Sequence, residues 1–88
     1  MHERVLLWFG EWLVNRRAVS LPLPEGFKEA EFFRLGWVDS FGIVELIEDT
    51  ERQFGFSFAQ AELDDPRFGI VAGYVDIVAG AMKRSGKS

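Results

Sequence analysis

Gly36-Trp37-Val38-Asp39-Ser40-Phe41-Gly42-Ile43-Val44-Glu45-Leu46-Ile47, followed by Glu48-Asp49-Thr50-Glu51-Arg52-Gln53-Phe54-Gly55, decides how this chain of 88 residues is read. Ile43, Leu46, Ile47, Thr50 and Phe54 recur at i, i+3, i+4, i+7 and i+11. That spacing places them on one face of an α-helix, predicted over Ser40–Phe54. Asp39 or Ser40 serves as its N-cap, offering an oxygen to amides with no partner inside the helix. Neither residue has Glu or Gln three positions later, so no capping box forms. Gly42 in the first turn costs up to about 1 kcal/mol relative to Ala. Gly55 marks the C-terminal stop.

The opposite side of the same helix presents Phe41, Val44, Glu45, Glu48, Asp49, Glu51 and Arg52. The formal net charge is −4 and the sequence pI about 4.9, an acidic balance unsuited to nucleic acid. Its distribution says more than its sum. Asp39, Glu45, Glu48, Asp49, Glu51, Glu62, Asp64 and Asp65 crowd the middle, with Arg52 alone opposing them until Arg67. Basic residues gather at Arg16–Arg17 and at Lys83, Arg84 and Lys87. An acidic helix with Phe41 and Val44 among its carboxylates reads as a docking patch for a basic partner surface. The plain alternative is a solvated acidic face.

Upstream, Val5, Leu6, Trp8, Phe9, Trp12 and Leu13 form an apolar stripe, predicting a helix over about His2–Ala18. From Val19 to Val38 the periodicity fails. Pro22 and Pro24 remove backbone donors, and Gly26 and Gly36 add breaks. The stretch is read as a long ordered loop crossing the bundle, with room for a short helix through Lys28–Phe33. Leu21, Leu23, Phe27, Phe32, Phe33 and Leu35 are expected to pin it to the core. Trp8, Trp12 and Trp37 are read as core filling. Downstream, a short helical turn near Ala59–Leu63 is halted by Asp64-Asp65-Pro66. A last helix follows over about Phe68–Met82, with Ile70, Tyr74, Ile77 and Val78 facing inward. Lys83–Ser88 is expected to be a flexible tail on a core of about residues 2–82.

At Gly36–Gly55 the chain resembles the acyl carrier protein family. That family shows a Gly, then Asp-Ser and a large apolar residue, then Val-Glu-Leu and a second apolar residue on an acidic helix, then Phe. Gly36, Asp39-Ser40-Phe41, Val44-Glu45-Leu46-Ile47 and Phe54 stand in that order. The element order of helix, long loop, acidic helix, short helix and final helix fits as well. The resemblance implies an all-α fold, a small four-helix bundle of one domain with a long loop between its first two helices. It also implies a non-catalytic carrier. Its cofactor is 4′-phosphopantetheine, transferred from coenzyme A to Ser40 by a phosphopantetheinyl transferase, with Asp39 helping to position the modification. Phe41, Val44, Glu45, Glu48, Asp49 and Glu51 are then the partner-binding face. The implied partners are acyl- or aminoacyl-activating enzymes and downstream synthases or transferases of fatty-acid, polyketide or specialised lipid synthesis. Glu48 departs from the family, many members having an apolar residue there.

The residues fit this chemistry independently of the likeness. The chain has no cysteine, so a thioester needs a sulfur brought in from outside. A serine at a helix start keeps its hydroxyl outside the packed body, and a phosphodiester there meets the positive end of the helix dipole. Its one histidine, His2, is read as a solvated terminal residue, which leaves Ser40 without a base and argues against a hydrolase. Two other readings stand beside the carrier of acyl groups. One is an aminoacyl carrier of the D-alanyl type; the other is a helical interaction module without a prosthetic group. No apolar run approaches the roughly 20 residues of a membrane span, and no secretory leader fits the start, so a cytoplasmic monomer is expected.

Overall fold

The computed structural model describes residues 2–86, and among these every regular element is helical. Helix α1, His2–Asn15, buries Val5, Phe9 and Leu13 completely. It stops three residues earlier than its apolar stripe predicts. The Ala18 N–H donates to the Leu13 carbonyl and the Arg17 N–H to that of Val14, a closure that needs a left-handed residue. Arg17 takes that conformation at φ 62°, at a steric cost glycine would not incur. Because the position holds arginine, the sequence carries no stop signal.

The segment from Val19 to Asp39 contains one 3-10 turn, Phe27–Glu29, in place of the short helix expected over Lys28–Phe33. A second turn through Phe32–Gly36 closes as α1 does, with Trp37 N–H donating to the Phe32 carbonyl and Gly36 at φ 79°. Phe27 and Phe32 are buried and Leu23 half-buried. Leu21 is instead exposed, and so are Phe33 and Leu35, because the turn carries the residues after Phe32 outward. The loop is thus pinned by a different set than expected, Val19, Ala30, Trp37 and Val38 joining Leu23, Phe27 and Phe32 against the core.

Helix α2 spans Ser40–Phe54 as the pattern requires, ending on Gly55 in the left-handed conformation. Leu46, Thr50 and Phe54 are buried, and Ile43 and Ile47 half-buried. Helix α3, Gln60–Leu63, is a single turn whose first free amide, Ala59 N–H, donates to the Glu62 carboxylate at 2.7 Å. A 3-10 turn over Pro66–Gly69 follows, capped by Asp65. Helix α4, Val71–Arg84, therefore begins after Phe68 rather than at it, since Ile70 is extended and breaks the register. It also outlasts its expected end at Met82. Arg84 bonds the Glu62 carboxylate at 2.9 Å and the Ser57 carbonyl at 3.0 Å, which draws residues 83–84 of the expected tail into the folded body. Lys87 and Ser88 lie outside the described residues.

Helix α4 is the hub. Its backbone packs closely on α1 and on both 3-10 turns. At Gly73 the approach is so tight that a Cβ would collide with the Arg67 backbone carbonyl. Tyr74, fully buried, has the rings of Phe9, Phe32, Phe58 and Phe68 within 5.0–6.1 Å. Helix α2 is joined to this body by side chains: Thr50 to Tyr74, Trp8 edge-on to Phe54 at 5.6 Å, and Trp12 to Asp49. His2 is not a free terminal residue, since its Nε2 lies 2.9 Å from Asp76 Oδ1 on α4.

Candidate functional site

The start of α2 is built from four consecutive residues. Asp39 is extended, at φ −91° and ψ −173°, and its Oδ1 accepts from the Gly42 N–H at 2.7 Å. Asp39, not Ser40, is thus the N-cap. Ser40 is released from capping and stands as the first helical residue, exposed to solvent. Beneath them Gly42 is buried where space is short. A methyl group there would lie 3.0 Å from Val38, 3.1 Å from the Arg16 guanidinium and 3.2 Å from the Asp39 carboxylate.

Phe41, Val44, Glu45 and Glu48 follow at i, i+3, i+4 and i+7 along one exposed stripe, with Phe41 84% and Val44 53% exposed. Asp49 and Glu51, expected on the same face, are half-buried and engaged elsewhere. At 100° per residue they fall about 80° to either side of Phe41, at the two margins of the stripe. Asp49 accepts from the Trp12 indole N–H at 2.8 Å, and Glu51 accepts from the Phe58 N–H at 2.8 Å. Both carboxylates fasten α2 to its neighbours.

Arg16 is the residue that pattern reading missed. Its guanidinium lies 4.6 Å from the Trp12 ring centroid and bonds Glu45 at 3.0 Å, so one carboxylate of the exposed stripe is paired within the chain. The Trp12–Arg16 spacing of i, i+4, with Arg16 in the turn that closes α1, was the available signal. Trp37 stacks on Phe27 at 5.9 Å and braces the loop just before the cap. All three tryptophans are half-buried against the core.

Ionisable groups with displaced pKa values lie away from Ser40. The hydrogen bond with His2, reinforced by Arg67, holds Asp76 below the usual carboxylate range, and Arg67 does the same for Asp65. Burial works to raise Glu62, but bonds from Arg84 and the Ala59 N–H outweigh it and leave that carboxyl low. Burial pushes the Tyr74 hydroxyl far above the ordinary phenol value. The one histidine is engaged with Asp76, on α4. The arrangement at Ser40 is chemically that of an accessible alcohol on a self-capped helix start beside an apolar and acidic stripe. The chain matches no family model, no curated protein and no solved structure.

Proposed function

We propose that the chain is a carrier of the acyl carrier protein type, which receives a 4′-phosphopantetheine arm on Ser40 and catalyses nothing itself. One observation carries this reading. Ser40 is exposed at the first position of α2 while its neighbour Asp39 does the capping, so the hydroxyl is free for modification without loss of the helix start. The residues fit the group. A phosphodiester on this oxygen extends into solvent at the positive end of the α2 dipole, where negative charge is favoured. When bound, the arm supplies the thiol on which a cargo is held as a thioester.

Each neighbouring residue then has a task. Asp39 fixes the backbone that presents Ser40. Phe41 and Val44 supply apolar contact to the transferase and to later partners, and Glu45 and Glu48 orient their basic surfaces. Such exposed charges accelerate encounter more than they tighten the complex, which suits a carrier that must leave one enzyme for the next. Asp49 and Glu51 act indirectly, by holding α2 against Trp12 and Phe58.

The test is an intact-mass measurement after incubation with coenzyme A, magnesium and a broad-range phosphopantetheinyl transferase. The wild-type chain gains one arm and Ser40→Ala gains none. A folded wild-type chain that gains nothing refutes the carrier and leaves the interaction module.

A further inference from the structure

We infer that the cargo stays outside the helical body and is small or polar: a short acyl or aminoacyl group and not a long alkyl chain. The inference rests on the carrier reading of Ser40. Every methylene left in water is unfavourable, so a protein that carries a long chain on a tether gains by having an apolar recess within reach. The route inward from Ser40 is closed at its first step. The inner side of the α2 start has no room for one methyl group on Gly42 without crowding Val38, Arg16 and Asp39. Below it, Val38, Leu46 and Thr50 are sealed from solvent.

Deeper, Tyr74 of α4 meets Thr50 of α2 and is ringed by Phe9, Phe32, Phe58 and Phe68, with Tyr74, Phe9 and Phe32 fully buried. The seam is also latched. Thr50 donates its hydroxyl proton to the Leu46 carbonyl at 2.6 Å, so Tyr74 donates to Thr50 across the 2.5 Å contact. Separating the two helices strands a buried phenol with no acceptor. Among the described residues, solvent-open recesses of about 400, 390 and 360 Å³ lie elsewhere, and no residue of α2 lines these. Two follow the outer side of α1 around Val14 and Leu21, and the third lies between His2, Leu6 and Val75.

The experiment transfers acetyl-, octanoyl- and dodecanoyl-phosphopantetheine from the corresponding coenzyme A thioesters onto the full chain. It then compares thermal midpoints and side-chain NMR shifts. The expected result is one midpoint for all three forms, with Leu46, Tyr74 and Val78 signals unmoved and changes confined to the Ser40–Phe41 surroundings. A midpoint that climbs with chain length, or movement of those core signals, overturns the inference while the mass gain leaves the carrier reading standing. Movement of Leu7, Val14 or Leu21 overturns it too, by showing a chain held on the α1 surface. Failure of all three thioesters to add mass removes the carrier reading and the inference together.

Discussion

Helices α2 and α4 begin in opposite ways. The start of α2 is held by its own residues: Asp39 caps Gly42, Ser40 is exposed, and Phe41 projects into solvent. The start of α4 has no side-chain cap and is held by distant chain. The Val71 N–H donates to the Ala30 carbonyl at 3.0 Å, Val71 and Tyr74 are fully buried, and Gly73 lies against the Arg67 backbone. The contrast teaches what each end is free to do. A helix start that owes its stability to local bonds can be handled by another molecule without disturbing the core. One sealed by the rest of the fold cannot.

The sealed end should be the more costly to disturb. Gly73→Ala places a methyl group against a backbone oxygen that cannot move aside, and should destabilise the fold by about 3 kcal/mol in urea titration. A loss under about 1 kcal/mol would mean that α4 slides easily on the Pro66–Gly69 turn. Next come the two ends of the latch between α2 and α4. Thr50→Val leaves the Tyr74 hydroxyl buried and unpaired, costing about 2 kcal/mol; Tyr74→Phe leaves Thr50 still bonded to Leu46, costing about 1 kcal/mol. Equal losses would break the assignment of donors. Asp39→Ala removes the cap at the open end and should cost about 1 kcal/mol.

The acid limb gives a smaller effect. Asp76, Asp65 and Glu62 have folded pKa values below their unfolded ones, so their stabilisation is complete above the ordinary carboxylate range and declines as pH falls through it. The thermal midpoint should hold from neutrality to about pH 5 and drop below about pH 4. Arg67→Met, which removes the partner of Asp65 and leaves Asp76 only His2, should flatten part of that drop. The smallest change in stability is expected from Phe41→Ala, within about 0.5 kcal/mol, because that residue is mostly exposed to solvent. Its effect belongs to the rate of arm transfer, which should fall while the folded state is untouched.

Much of the open end was legible in the sequence because its determinants are local. The period of Ile43, Leu46, Thr50 and Phe54, an acidic cap and a terminal glycine all act within one helix, and they fix α2 to the residue. The sealed end was legible only in outline. Nothing near Gly73 announces that Arg67 folds back upon it, and nothing near Tyr74 names Thr50, 24 positions earlier, as its partner. The end of α1 was misread because Arg17 occupies a left-handed position that glycine usually signals. At the candidate site, helical spacing puts Asp49 and Glu51 only at the two margins of the exposed stripe. What spacing does not supply is that Trp12 and Phe58 occupy the two flanks.

Peptide mapping of the transferase-treated chain tests the central claim most directly, since Ser20, Ser57 and Ser85 are also exposed and accessibility by itself does not select Ser40. Fragmentation should place the added phosphopantetheine on Ser40 alone, with Ser20, Ser57, Ser85 and Ser88 unmodified. An arm on any other serine, or an unmodified Ser40 in a folded chain, would contradict the account.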